Sequence, residues 1–134
     1  MFLVAVVSFV IALASAGLPP TTKDVITIQS QQHPEVSISY KKTCICDTTV
    51  NAYAGYVHMP SSYTGESYNA SLFFWYFEAR NDPEHAPTTM YFAGVPGESS
   101  TYAVVSEGGI CTVLGDSATT EENAWSYNQY SNVL

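Results

Sequence analysis

The apolar positions of this chain form two unbroken runs near its centre and an alternating pattern nearer its start. Leu72–Phe77 is entirely apolar or aromatic, and Thr88–Ala93 has a similar character, which is typical of strands buried on both faces. Asn81-Asp82-Pro83 and a second proline, Pro87, separate the two runs and predict a turn. Val36–Tyr40 alternates apolar with polar residues, which predicts a half-exposed strand. The pattern therefore predicts a domain rich in strands.

A loop rich in glycine and proline follows the second apolar run. In Gly94-Val95-Pro96-Gly97, two glycines and a proline permit a sharp turn whose backbone N–H groups can face a ligand. Ser99-Ser100 and Gly108-Gly109 then bracket a short segment, Thr101–Glu107, that is predicted to be helical.

The N-terminal segment has a different composition from the rest of the chain. Residues 1–16 are nearly all apolar and end in Ala14-Ser15-Ala16, which predicts a secretory signal peptide. A membrane anchor is the alternative, but the run is shorter than the roughly 20 residues that a spanning helix needs. The mature chain is then expected to start near Gly17, with no membrane association, and residues 17–43 are interpreted as an N-terminal lead-in.

Charge limits the classes of partner. The chain has 134 residues, four basic residues and a net charge of -8. Nucleic acid and anionic membrane surfaces require a basic face, so neither is an expected partner. The sequence makes no prediction about the oligomeric state.

The cysteines are expected to be oxidised, because disulfides form and persist in secreted proteins. There are three, so at least one lacks an intrachain partner, and a bridge between the two nearest would be strained. The Cys-x-Cys spacing and the scattered histidines do not match a metal site, so no metal or cofactor is predicted. The three disulfide candidates are Cys44, Cys46 and Cys111.

Several segments carry a family resemblance. The sequence LFFWYFEARNDPEHAP at Leu72–Pro87, followed by YFAGVPGESS, resembles the N-terminal part of the serine carboxypeptidases, especially the fungal ones. The resemblance runs from about Val36 to Leu134 and implies an α/β-hydrolase fold, whose first strand is Tyr53–Met59. Residues 44–134 would then be a partial domain with an incomplete, β-rich sheet. Other matching segments are Cys44–Thr49, Glu107–Cys111, Asp116–Thr120 and Trp125–Leu134.

What the family does is implied by the resemblance alone. Serine carboxypeptidases remove C-terminal residues, so the implied partners are peptide or protein C-termini, and the implied location is extracellular or vacuolar. The backbone of Gly94 and Val95 falls on the oxyanion-hole loop, where the family has a glycine in place of Val95. Glu107 falls on a residue that binds the substrate carboxylate, and Ala93 replaces the family's carboxylate-binding Asn. The family also ties the cysteine matching Cys46 to sequence elsewhere in a longer chain, so its partner is expected outside this one.

The catalytic triad is not found in these residues. Gly65-Glu66-Ser67-Tyr68-Asn69 is similar to the nucleophile-elbow motif, but Asn69 stands where the elbow needs glycine, and an aromatic strand follows instead of a helix. A hairpin loop is therefore predicted, and Asn69-Ala70-Ser71 is a glycosylation acceptor. His58 is interpreted as a strand residue, because the family's catalytic histidine lies near the C-terminus of the full enzyme.

The expected protein is thus a truncated, inactive serine carboxypeptidase. Two alternatives remain open at this point: a secreted, non-catalytic binding protein that uses the same half-sheet, and a carboxypeptidase-like acyltransferase, which shares the site.

Overall fold

The computed structural model describes residues 24–92, 97–106 and 108–134. Within these ranges it has one six-stranded mixed sheet, a separate two-stranded hairpin and short helical segments. The strands are β1 (Ile26–Gln29), β2 (Ser37–Thr43), β3 (Ala52–Met59), β4 (Ala70–Phe77), β5 (Thr88–Thr89), β6 (Cys111–Val113), β7 (Thr120–Glu122) and β8 (Asn132–Val133). The helices are α1 (Ser61–Thr64) and α2 (Thr101–Val104), and a 3₁₀ turn covers Tyr127–Gln129.

The large sheet has the order β1-β2-β3-β4-β8-β5. Strands β1 to β4 form an antiparallel meander, because short connections join sequential strands of alternating direction. At the other side β8 is antiparallel to β4, with one residue pair, Phe77 opposite Val133. It is parallel to β5, with Thr88 opposite Asn132 and Thr89 opposite Val133. The short β8 is therefore the link that joins the meander to β5.

The core lies on one face of the sheet, at the end where β8 joins β4. Ala52 and Phe77 are paired across β3 and β4 and are fully buried. Trp75, Val104 and Val105 pack against this cluster. The buried apolar residues of the cluster are Cys46, Ala52, Phe77, Ile110, Cys111 and Val133. The mixed sheet with few helices confirms the expected class, a partial α/β-hydrolase fragment.

The positions of the strands were predicted more accurately from the sequence than the burial of their side chains. The predicted strand at Val36–Tyr40 is confirmed as part of the half-buried β2, and the first strand of the resemblance is confirmed as β3. The prediction that Leu72–Phe77 is buried on both faces is wrong, because Leu72 is 59% exposed and Phe73 is 41% exposed. Only Phe77 is fully buried, since the core lies at that end of β4.

The second apolar run also differs from its prediction. Regular pairing covers only Thr88–Thr89, because β8, the strand it pairs with, is two residues long. Met90, Tyr91 and Phe92 are exposed rather than buried on both faces. Helix α2 ends at Val104, three residues earlier than predicted.

Two predictions about the N-terminal segment concern residues that the structure describes only in part. The signal peptide, residues 1–16, lies outside the described residues. The described part of the segment interpreted as a lead-in, 17–43, contains β1 and β2 of the sheet. No helix in the described part of the chain combines the length and the apolar character that a membrane crossing requires.

Candidate functional site

A disulfide joins the segment after β2 to the start of β6. Cys46 and Cys111 are bonded, with their Cα atoms 5.3 Å apart and a sequence separation of 65. The expectation that Cys46 has its partner outside this chain is therefore wrong, since Ile110 and Cys111 pack into the same core as Cys46. Cys44 is exposed and forms no disulfide.

Next to this disulfide, Asp47 is a fully buried carboxylate. Its Oδ1 accepts hydrogen bonds from the backbone N–H (2.8 Å) and the hydroxyl (2.6 Å) of Thr49. Its Oδ2 accepts from Asn128 Nδ2 at 3.0 Å and from Arg80 Nε at 2.8 Å. Burial raises the pKa of Asp47, but the hydrogen bonds from Thr49, Asn128 and Arg80 outweigh burial and hold the pKa below its ordinary value.

Arg80 connects this carboxylate to the hairpin. Besides its bond to Asp47, its Nη1 donates to the carbonyl oxygen of Asn123 at 2.9 Å, and its Nη2 lies 3.2 Å from Glu122 Oε1. The guanidinium side chain is only 10% exposed. A buried cation needs such partners, because an unpaired charge in the interior is very costly. Arg80 is thus the centre of a polar network.

Two buried asparagines fix the C-terminal segment to the sheet. Asn128 binds Asp47 and also accepts a short hydrogen bond from the Ser126 hydroxyl. Asn132 accepts from the backbone N–H of Ala79 at 2.9 Å and donates to the carbonyl oxygens of Pro83 (3.0 Å) and Ala86 (3.2 Å). These bonds hold β8 between β4 and the Asn81-Asp82-Pro83 turn.

A cavity of about 820 Å³ opens beside β8. One wall consists of aromatic and aliphatic side chains of β4 together with residues 89–92, and the other consists of residues from 98–106 and 108–110, around α2. Trp75, Tyr91 and Phe92 are among its aromatic lining residues. A concave, mostly apolar pocket with a few polar groups is the usual form of a ligand site.

The predicted site residues adjoin this cavity in sequence. Ala93, Gly94, Val95 and Glu107 themselves lie outside the described residues. Their described neighbours, however, line the cavity. Phe92 and Glu98 lie on either side of 93–96, and Ser106 and Gly108 lie on either side of 107.

The other predicted residues lie away from this cavity. Ser67 lies in the connection between α1 and β4, inside an antiparallel hairpin rather than at a strand-to-helix turn. Asn69 is exposed there, and its Oδ1 accepts from the backbone N–H of Ser61 at 2.9 Å.

His58 is a residue of β3 whose two ring nitrogens contact hydroxyls. Its Nε2 lies 2.7 Å from Ser39 Oγ, and its Nδ1 lies 3.0 Å from Ser71 Oγ. Both contacts are cross-strand bonds within the sheet, so they support its interpretation as a strand histidine. The described residues contain no cluster of three or more side chains that could hold a metal ion.

Two further groups have shifted pKa values. A side-chain hydrogen bond from Thr119, helped by backbone N–H groups, lowers the pKa of the exposed Asp116 to about 2. Burial, with the nearby Glu78 and Tyr53, raises the pKa of Tyr76. Neither residue lines the cavity.

The buried network of Asp47, Arg80 and Asn128 was missed by the sequence analysis. One signal could have pointed to it. Arg80 is one of four basic residues in the chain and lies three positions after the end of the apolar run Leu72–Phe77, so a carboxylate partner could have been expected for its charge. The choice of Asp47, which lies 33 residues earlier, depends on the fold.

Comparison with known proteins links this arrangement to one family. Residues 44–134 match the family described as serine carboxypeptidase. The chain is 40% identical over 138 residues to Carboxypeptidase S1 homolog A of Arthroderma benhamiae, an alignment covering 98% of this chain and 21% of that protein. It is 38% identical over 96 residues to Carboxypeptidase S1 of Penicillium janthinellum, covering 70% of this chain and 21% of that protein.

A more distant relative comes from an animal. Venom serine carboxypeptidase of Apis mellifera is 32% identical over 85 residues, covering 63% of this chain and 17% of that protein. The chain spans about a fifth of the length of the curated relatives that it matches.

Proposed function

This chain belongs to the serine carboxypeptidase family, and we propose that it forms the N-terminal part of a site that hydrolyses C-terminal peptide bonds. The observation that carries the proposal is the cavity, because residues on both sides of 93–96 and of 107 line it. A loop that supplies N–H donors and a carboxylate that binds the substrate must face the same space. Residues 97–106 separate the two segments in sequence, and the described neighbours of both segments line this one cavity.

Each segment has a proposed role. The backbone N–H groups of Gly94 and Val95 stabilise the oxyanion that forms when the substrate carbonyl is attacked. Glu107 in its protonated form donates a hydrogen bond to the C-terminal carboxylate of the substrate. Ala93 offers no side-chain donor for that carboxylate, and the β-branched side chain of Val95 restricts its backbone near the acyl site. The proposed site is therefore a weakened form of the family's.

The nucleophile and base are not supplied by the residues described. Ser67 lies in a hairpin connection and His58 in β3, and neither lines the cavity. We therefore expect no hydrolysis by these 134 residues alone, and the site needs catalytic groups that they do not provide.

The test is a chimera in which residues 44–134 replace the matching segment of the Arthroderma benhamiae relative. We expect it to hydrolyse an N-blocked dipeptide with a free C-terminus, at a reduced kcat/KM. Ala93→Asn combined with Val95→Gly should raise kcat/KM by at least about tenfold, since a lost donor at a transition state costs that much or more. Ala118→Gln, in the exposed β6–β7 turn, is the control and should change nothing, because it adds an amide without creating a glycosylation acceptor.

The proposal would be contradicted if the chimera folds but hydrolyses no substrate, both with and without the combined substitutions Ala93→Asn and Val95→Gly. That result would favour the second candidate, a secreted, non-catalytic binding protein. The observation in its favour is that two of the site's contact positions, Ala93 and Val95, have side chains that weaken a catalytic role.

A secretory route, extracellular or vacuolar, and glycosylation at Asn69 belong to the same proposal. The Cys46–Cys111 disulfide supports an oxidising compartment, and the exposure of Asn69 leaves it accessible. Expression in a yeast host should yield a protein whose mass falls after treatment with an N-glycosidase. Asn69→Gln should abolish the shift, and Asn81→Gln, at another exposed asparagine without the acceptor pattern, should retain it.

A further inference from the structure

At one end of the large sheet, exposed aromatic rings lie among polar side chains on the same face. Side chains alternate between the two faces of a sheet, and the register places Ser39, Tyr56 and Phe73 in one row across β2, β3 and β4. The next row towards the α1–β4 connection contains His58 and Ser71. We call the surface formed by these residues the tyrosine face. It lies at the opposite end of β4 from the point where β4 meets β8.

The rings of the tyrosine face form a platform. The rings of Tyr56 and His58 lie side by side, with their centroids 6.2 Å apart and their planes inclined by 29°. Phe73 packs edge-on against Tyr56, with ring centroids 5.5 Å apart and planes at 68°. Tyr56 is 46% exposed. Phe73 also lines the cavity beside β8, whereas Tyr56 and His58 do not. The two nearly parallel rings of β3 are therefore open to a ligand outside that cavity.

Polar groups surround this platform. The hydroxyl of Ser39 lies 2.7 Å from His58 Nε2, and that of Ser71 lies 3.0 Å from His58 Nδ1. A hydroxyl has one donor and two acceptor sites, so each serine can bind a further polar group besides the histidine. A surface that is buried by packing is mostly apolar. The hydroxyls and the imidazole therefore indicate contact with a polar ligand or with water.

A glycosylation acceptor lies at the margin of the tyrosine face. The acceptor pattern Asn69-Ala70-Ser71 ends on Ser71, which belongs to this face. Asn69 directly precedes β4, so the alternation that places Ser71 on the tyrosine face places Asn69 there too. The backbone N–H of Ser61 donates to Asn69 Oδ1 at 2.9 Å and orients the side-chain amide. This bond uses Oδ1, so it does not involve Nδ2, the atom that carries an N-linked glycan.

The chemistry of the tyrosine face suits a sugar chain. A pyranose ring has C–H groups on its faces and hydroxyls on its rim. The C–H groups pack on the negative face of an aromatic ring, and the hydroxyls exchange hydrogen bonds with side-chain hydroxyls. Asn69 and Ser71 are separated by two strand residues, roughly 7 Å. The first sugars on Asn69 therefore reach Ser71 and His58, and those that follow reach Tyr56.

We propose that the first sugars of an N-linked glycan on Asn69 pack on the tyrosine face and stabilise the β3–β4 hairpin. The inference rests on the proposed glycosylation of Asn69 and goes beyond it, because it assigns the glycan a binding surface on the chain itself. The glycan covers the exposed ring of Tyr56 and ties the α1–β4 connection, through Asn69, to β3.

The experiment uses the chain secreted from a yeast host, before and after removal of the glycan with an N-glycosidase. Mass spectrometry verifies that the glycan is present and then removed. In the NMR spectrum of the glycoprotein, protons of N-acetylglucosamine should show nuclear Overhauser contacts to the ring of Tyr56. Removal of the glycan should lower the urea concentration at the midpoint of unfolding, because the contacts with the sheet are lost.

Two matched substitutions locate the contact. Tyr56→Thr removes the ring and keeps a residue of high strand propensity, so removal of the glycan should then shift the urea midpoint much less than in the wild type. Tyr63→Thr makes the same exchange in α1, at a residue that is 43% exposed, and should keep the wild-type shift. The enzyme leaves an aspartate at position 69 in every variant, so its charge cancels in the comparison. Both tyrosines are exposed, so both variants are expected to fold, which circular dichroism will verify.

Three results would overturn the proposal. One is a glycoprotein without sugar contacts to Tyr56, another is an undiminished midpoint shift in Tyr56→Thr, and the third is an equal loss of the shift in the two tyrosine variants. With the glycan verified by mass, each of these leaves the proposed glycosylation intact. A chain secreted without a glycan would contradict the glycosylation and this proposal together. None of the readouts depends on the peptidase chimera.

Discussion

At the scale of single residues, the partners of Arg80 explain why this part of the chain holds together. The guanidinium touches Asp47 in the segment after β2, Glu122 in β7 and the carbonyl of Asn123. Arg80 therefore joins the segment after β4 to two others that are far from it in sequence, one at residue 47 and one at 122–123. The side-chain charges could be read from the sequence, but their pairing could not, because it depends on how the disulfide and the hairpin fold back onto β4.

Asp47→Asn should lower the free energy of unfolding at neutral pH by about 1–3 kcal/mol, since it removes the buried carboxylate that accepts hydrogen bonds from Arg80, Thr49 and Asn128. Glu122 still pairs with the guanidinium in this variant. The folded-state pKa of Asp47 lies below its ordinary value of 3.8. Its stabilising effect is thus complete above that value and is lost as the pH falls through the folded-state pKa. The wild-type chain should lose stability on acidification below pH 3.8, and the variant should lose less over the same range.

Urea unfolding at several pH values measures this effect. Asp116→Asn is the control, because Asp116 also has a lowered pKa, of about 2, but lies in an exposed turn. That variant should keep nearly all of its stability at neutral pH. Equal neutral-pH losses in the two variants would show that the buried network does not stabilise the fold.

Gly55→Ala should destabilise the sheet by about 1–3 kcal/mol, the usual cost of overpacking. A Cβ atom at this position in β3 would lie 2.1 Å from the carbonyl oxygen of Ser39 and 2.8 Å from the Cα of Tyr40 in β2, so backbone must move. Gly115→Ala is the control, since nothing lies within 4 Å of its Cβ position. The midpoint temperature of thermal unfolding should be clearly lower for Gly55→Ala than for Gly115→Ala. Similar midpoint temperatures would contradict the close approach of β2 to β3.

At the scale of elements, the sequence predicted where strands occur but not how far each is covered. An aromatic run such as Leu72–Phe77 has strong strand propensity whatever surrounds it, and it is β4. Its burial depends on neighbouring elements, and the core reaches only its Phe77 end. For the same reason Thr88–Ala93 became a two-residue strand: its pairing partner, β8, is short. Composition reports the character of a strand, and tertiary structure decides its burial.

Cys111→Ser should lower the free energy of unfolding by about 2–5 kcal/mol. The Cys46–Cys111 bond restricts a long loop of the unfolded chain, whose ends have a sequence separation of 65. Cys44→Ser, at the exposed free cysteine, should be nearly neutral. Urea unfolding without reductant measures both, and with reductant the wild type should approach the Cys111 variant. An unchanged midpoint in that variant would show that the bond does not stabilise the fold.

At the scale of the whole molecule, the family could be predicted from motifs in sequence order, whereas the shape of the site could not. The cavity depends on the β4–β8–β5 arrangement, and residues from 89–92, 98–106 and 108–110 surround it. The chain spans about a fifth of its relatives' length. We therefore propose only one part of a site for these residues, namely the oxyanion loop and the carboxylate-binding Glu107.

The most direct test is the selectivity of the chimera for a free C-terminal carboxylate over the corresponding amide, with and without Glu107→Ala. We predict a higher kcat/KM for the free acid, and we predict that Glu107→Ala, which removes the hydrogen-bond donor, reduces this preference by at least about tenfold, since a hydrogen bond to a charged group is worth about 1.5–3 kcal/mol. Glu66→Ala, at an exposed residue of the α1–β4 connection, is the matched control and should leave the preference intact. A preference that survives Glu107→Ala unchanged would contradict the proposed role of Glu107.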